Sequence, residues 1–134
     1  EYETSELLWK RKYAEGEAVE KVRDYRNQEL EKSRNCLTME KELYLEDATA
    51  LCELRFSNAL ENSFSCVISI IRDSTGETLY ESGLIEPGFS IETVYLSGAL
   101  KKGTYPCTVL ARFFTKSGEY AGETAWKVVV IIKN

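Results

Sequence analysis

Phe64-Ser65-Cys66-Val67-Ile68-Ser69-Ile70 places Phe64, Cys66, Ile68 and Ile70 on one side of an extended chain. Ser65 and Ser69 fall on the other side, which is the period of two expected of a half-buried strand. Asp73-Ser74-Thr75-Gly76 follows as a turn, with glycine where a positive φ costs least, and Glu77 to Glu81 returns as a short strand. The same period extends outward in both directions. Upstream, Cys52, Leu54 and Phe56 alternate with Glu53 and Arg55, and Leu43 and Leu45 flank Tyr44. Downstream, Glu86-Pro87-Gly88 turns into a strand from Ser90 to Leu96. Leu100-Lys101-Lys102-Gly103 then turns into a long strand from Thr104 to Thr115, Lys116 to Gly122 form a hairpin loop, and Thr124 to Lys133 form the last strand. The spacing predicts a mainly β chain, with seven strands in a two-sheet antiparallel sandwich. The run Val128-Val129-Val130-Ile131-Ile132 predicts a last strand covered on both faces, or one that meets a helix.

The first 35 residues read differently. They carry nine acids and eight bases, and Gly16 is their only glycine, whereas the other seven glycines lie between Gly76 and Gly122. Dense mixed charge without turn residues is the pattern of a solvated helix. Thr4 or Ser5 can cap it, with Glu6 favouring its positive N-terminal end. Leu7, Leu8, Ala14, Ala18, Val22 and Tyr25 roughly line one face, and Glu17 and Lys21 form an i,i+4 pair. Gly16 weakens the middle and is a point where the helix can break. The predicted organisation is a charged helical segment over residues 1–35 and a β-sandwich over residues 36–134, with the boundary near Asn35. The apolar stripe is too thin for a long regular coiled coil.

Composition narrows the function. The chain has 134 residues, 43% hydrophobic and 29% charged, which is ordinary for one globular domain. Its net charge of −5 has the wrong sign for phosphate backbones or anionic lipid, so no nucleic-acid partner is expected. No apolar run approaches the ~18 residues of a membrane span, so membrane contact is expected only through an anchor outside this segment. The absence of histidine removes Ser-His and Cys-His catalytic pairs and most zinc enzymes. Cys36, Cys52, Cys66 and Cys107 contain no C-x-x-C pair, which argues against structural zinc. Glu46 with Asp47, and Glu81 with Glu86, are carboxylate pairs at turns. Such pairs can serve glycoside hydrolysis, but charged turns on a sandwich this small read as solvated loops. The Glu46-Asp47 and Asp73 turns lack the acidic spacing of a calcium loop. The expectation is therefore a non-enzymatic chain with no cofactor and no metal.

Gly103-Thr104-Tyr105-Pro106-Cys107 resembles the entry to strand F of immunoglobulin-like domains, in which a tyrosine two residues before a cysteine hydrogen-bonds back across a corner. Cys52 lies in the strand that would match strand B, and alternation turns both Cys52 and Cys107 inward, so the resemblance implies a Cys52–Cys107 disulfide. Buried free thiols are the alternative, and Cys66, also inward, competes for either partner. Two departures stand out: Cys66 occupies the position where strand C would carry tryptophan, and Pro106 implies a bulge or the strand's start.

A second resemblance covers about residues 54–134. Asn58-Ala59-Leu60-Glu61-Asn62, Val67-Ile68-Ser69-Ile70, Leu79-Tyr80-Glu81-Ser82-Gly83-Leu84-Ile85-Glu86-Pro87-Gly88 and Leu100-Lys101-Lys102-Gly103-Thr104-Tyr105 resemble small secreted or surface-anchored β-sandwich proteins of Gram-positive bacteria. That resemblance implies an extracellular or cell-surface location, with no catalytic residues to carry over. The start at Glu1 without methionine fits a processed protein or one trimmed of its anchor. The expected role is a binding or interaction module whose partner is a protein or a surface glycan. Trp9, Tyr80, Tyr95 and Tyr120 are the candidate contacts, and Trp126, in a row with Val128 and Val130, is expected in the core. Two alternatives are an oligomerising structural subunit of an envelope assembly, with homo-oligomer contacts through the N-terminal helix, and a small carbohydrate-binding module.

Overall fold

The computed structural model describes residues 28–134. Residues 28–35 are helical, and eight strands follow: β1 (Leu37–Thr38), β2 (Glu42–Leu45), β3 (Cys52–Asn58), β4 (Ser65–Arg72), β5 (Thr78–Glu81), β6 (Ser90–Val94), β7 (Gly103–Phe114) and β8 (Tyr120–Ile132). They form two sheets, one of three strands in the order β1-β3-β6 and one of five in the order β2-β8-β7-β4-β5. The expected helix cap at Thr4 or Ser5, the break at Gly16 and the contact residue Trp9 lie outside the described residues.

The alternation that predicts the strands also builds the core. Along β7, Cys107, Val109, Ala111 and Phe113 are buried while the residues between them are not. Register sets Cys66 opposite Phe113, Ile68 opposite Ala111 and Ile70 opposite Val109, so the inward rows of β4 and β7 coincide. Leu54 and Phe56 of β3 and Val128, Val130 and Ile132 of β8 complete the buried cluster, with Leu43 and Leu45 of β2. Val129 and Ile131 are half-buried on the outer face of β8, so the last strand is partly covered on its second side as well.

The expectation of seven antiparallel strands is corrected in two respects. An eighth strand, β1, pairs Leu37 with Asn58 and Thr38 with Ser57, and two residues are too few to display a period. The β2–β8 pair is parallel, with Glu42 opposite Val129 and Leu45 opposite Ile132, which makes the five-stranded sheet mixed. The cause is a change of sheet by the entering chain. Glu40 donates its N–H to Leu54 O of the small sheet at 3.0 Å, and Lys41 O accepts from Val129 N of the large sheet at 3.0 Å. The last hairpin is also tighter than expected: β8 begins at Tyr120, and Gly122 lies inside it with φ 147°. A Cβ at Gly122 would stand 2.7 Å from Leu30 Cδ1, so the Leu30 side chain of the helix packs directly onto the glycine.

Tyr105 is bonded back to the turn that precedes its strand. Its hydroxyl donates to Lys101 O at 2.6 Å and accepts from Lys101 N at 3.1 Å, while the Arg72 guanidinium lies 4.7 Å from its ring centroid. Removing the hydroxyl leaves the ring and its packing in place but breaks both bonds to the turn. Tyr105→Phe should therefore lower unfolding free energy by about 1–2 kcal/mol without changing the fold, measured by urea denaturation. Pro106 is the fourth residue of β7 and lies one position beyond the last β4 pairing, Arg72 with Cys107, where its carbonyl still accepts from Asp73 N at 3.0 Å.

Asn58, Asn62 and Ser33 form a buried polar relay between helix and sandwich. Asn58 continues the inward parity of Leu54 and Phe56 at the end of β3 and is fully buried. Its Nδ2 donates to Phe64 O at 3.2 Å and Ile85 O at 3.1 Å, and its Oδ1 accepts from Asn62 Nδ2 at 2.7 Å. Asn62 Oδ1 in turn accepts from Ser33 Oγ at 2.6 Å and from Phe64 N at 3.1 Å. Ser33 lies on the helical side of the expected boundary at Asn35, and it is buried against the sandwich.

Candidate functional site

The segment that changes sheet at Met39–Lys41 has a cleft on each side. The larger, about 770 Å³, is walled by Tyr44 of β2, Leu51 of the following loop, and Glu53 and Arg55 of β3. The smaller, about 400 Å³, is walled by Arg34, Leu37, Ala125 and Trp126. Met39 and Lys41 line both.

Arg55 dominates the larger cleft by its backbone. The β3–β6 register shifts between Glu53 and Phe56, and Arg55, in that irregular stretch, has φ 48°. It is the one non-glycine residue with positive φ among those described. A bulge of this kind usually gives its left-handed position to glycine, and a side chain there costs on the order of 1–2 kcal/mol. The guanidinium reaches Glu53 at 3.4 Å and Glu40 at 3.9 Å, both exposed ion pairs that contribute little to stability. Tyr44, 54% exposed, donates its hydroxyl to Glu42 Oε2. That hydrogen bond and the Glu42 charge raise the Tyr44 pKa. The cleft thus offers one aromatic face, an exposed Leu51, a guanidinium and several carboxylates, a set suited to holding a polar chain by stacking and hydrogen bonds.

The residues predicted as contacts are not brought together. Tyr80 is half-buried against the core, and burial raises its pKa. Tyr120 donates to Glu123 Oε1 at 2.6 Å and meets Phe114 edge-on at 6.0 Å. Its row on the sheet is that of Ser65, whereas Tyr80 pairs with Ile70 further along β4. Tyr95, exposed, follows β6 of the other sheet. Trp126 shares the inward parity of Val128 and Val130, but at the cleft mouth it is only half-buried. Alternation did mark Tyr44 as outward, between two inward leucines, but nothing in the sequence marks Arg55 as left-handed.

Three of the turn carboxylates, Glu81, Glu46 and Asp47, are engaged by neighbouring side chains or backbone. Glu81 pairs with Arg112 at 3.1 Å and Glu46 with Lys133 at 3.4 Å. Asp47 accepts from Thr49 N and Oγ1 at 2.8 and 2.6 Å, bonds that hold its carboxyl below the usual range. Among the described residues no three acidic, cysteine or histidine side chains converge to hold a metal ion, and no helix is long and apolar enough to cross a membrane.

All four cysteines are free thiols, with Cys52, Cys66 and Cys107 buried and Cys36 partly so. Cys107 Sγ contacts Tyr105 O at 3.4 Å. Burial pushes Cys66 up to about 12 and, with a smaller effect of Glu53, Cys52 up to about 11, from an ordinary value of 9.0. Above pH 9 the unfolded chain gives up thiol protons that the folded chain keeps. The contribution of these thiols to stability is therefore whole below that pH and falls between pH 9 and about 12. Iodoacetamide at pH 8 should label Cys36 first, and the three core thiols only on unfolding. If Cys52 and Cys107 stay unlabelled in denaturant until a reductant is added, the two form the bridge that the immunoglobulin resemblance implies.

No family model matches the chain, and no curated protein sequence matches it.

Proposed function

We propose that the chain is a non-enzymatic binding module on an immunoglobulin-like β-sandwich, working outside the cytoplasm on or near a bacterial surface. The fold part is supported by strand partition: β1, β3 and β6 correspond to A, B and E, and β4, β7 and β8 to C, F and G. Tyr105, two residues before Cys107 and bonded back to Lys101, supports the same reading. The location is supported by the resemblance of residues 54–134 to secreted and surface-anchored sandwiches.

One observation carries the binding role. Arg55 is kept in a conformation that favours glycine, where its ion pairs return little, beside a cleft of about 770 Å³. Local strain that the fold does not need is characteristic of sites kept for function. The ligand is an extended polar chain, a glycan or a peptide, stacked on Tyr44 and hydrogen-bonded by Arg55. Printed arrays of bacterial wall glycans and of linear peptides, probed with the wild-type chain and with Tyr44→Ala/Arg55→Ala, test this. The expected result is a set of spots bound by the wild type and lost in the variant. Identical spot patterns for the two, or no spot above background, would contradict the assignment.

A further inference from the structure

A third concave surface lies at the opposite edges of the two sheets, where residues 82–89 cross from β5 to β6. This crossing is fixed along its length. Ile85 exchanges backbone bonds with Cys66 at 2.7 and 3.0 Å. Ser82 Oγ accepts from Ile68 N at 2.9 Å, and Asn58 is bonded to both Gly88 and Phe89, at 2.7 and 3.0 Å. Despite this rigid frame, Leu84 is 54% exposed and Phe89 60% exposed, and Leu60, 78% exposed, lies against Gly88. Leu84, Ile85, Phe89 and Ile91 line a groove of about 420 Å³. Beside the groove runs β6, the outer strand of its sheet, with no strand on its other side among the described residues. Unpaired strand edges next to apolar pockets are the usual receptor for an added strand.

Charge decides what that strand is. Glu86 lines the groove and Glu92 projects from β6, while no lysine or arginine lines it. A second copy would set these acids against their equivalents, in a chain whose net charge is already −5. We propose that the free edge of β6 and the Leu84–Phe89 groove bind an extended segment of a partner protein that is apolar at alternate positions and basic between them. Its backbone adds to the sheet, its apolar side chains enter the groove, and its basic ones face Glu86 and Glu92. This surface is separate from the Arg55 cleft, so either assignment can fail without the other.

Fluorescence anisotropy with labelled nonapeptides tests the proposal, using the full chain and peptides of alternating valine-lysine, valine-glutamate and serine-lysine. Valine-lysine should bind saturably, and each control about tenfold or more weaker. Glu86→Lys/Glu92→Lys should reverse the preference toward valine-glutamate, Phe89→Ser should weaken both valine peptides, and Tyr44→Ala should change neither. All the substituted side chains are exposed, so the fold is retained. Equal binding of serine-lysine, indifference to the charge reversal, or no saturation at millimolar peptide would each overturn the proposal. So would concentration-dependent self-association, by light scattering, that Phe89→Ser abolishes, because the occupant would then be a second copy.

Discussion

Asn58→Ala is expected to lower unfolding free energy by about 3–5 kcal/mol, a large part of what holds a domain of this size together. The deleted amide leaves buried Asn62 Nδ2 without its acceptor and the part-buried Phe64 O without its side-chain donor, while Ile85 O keeps only its bond from Cys66 N. Each buried group left unmade costs about 1–3 kcal/mol, and members of a connected network weaken together. Ser33→Ala should cost less, about 1 kcal/mol, because Asn62 Oδ1 keeps its bond from Phe64 N. Urea titration of the two variants checks both values. If the two losses are equal, or the Asn58 loss is below about 1 kcal/mol, the relay is not the joint between helix and sandwich.

Phe113→Ala is expected to cost about 3–5 kcal/mol, whereas Phe114→Ala, its neighbour, should cost about 1 kcal/mol. Phe113 is fully buried, opposite Cys66 and Gly122, with the Phe64 ring 6.1 Å away. Truncation there leaves a cavity that a sheet bonded on both sides cannot collapse to fill. Phe114 faces outward and loses mainly its edge-on contact with Tyr120. A one-residue slip of β7 would exchange the two values, so the pair of measurements also tests the register.

Where the burial period was long enough to see, the fold could be read from the sequence. β3 and β7 each alternate over seven or more residues, and Gly76 and Gly88 have the positive φ expected of their turns. β4, expected to be half-buried, buries Ser65 and Ser69 of its other face as well, because strands and the 82–89 crossing cover it on both sides. β1 was hidden because two residues cannot show a period, and the parallel β2–β8 pair because alternation is silent about strand direction. Asn58 was legible in part: it holds the inward parity after Phe56, where an amide must find partners, but those partners come from distant segments of the chain. The cleft was not legible. It exists because the chain changes sheet at Glu40–Lys41, and Arg55 looks in the sequence like any outward residue between Leu54 and Phe56. The tyrosines singled out by exposure alone are spread over both sheets, because a count of aromatics carries no register.

If Arg55 is kept for a ligand at the expense of its own backbone, as we propose, the urea midpoint of Arg55→Gly will show it. Glycine removes the strain at φ 48° and forfeits only exposed ion pairs. The expected midpoint is equal to the wild type or higher, by up to about 1 kcal/mol in unfolding free energy. A midpoint clearly below the wild type would show that Arg55 serves the fold, and the observation that carries the binding role would be lost.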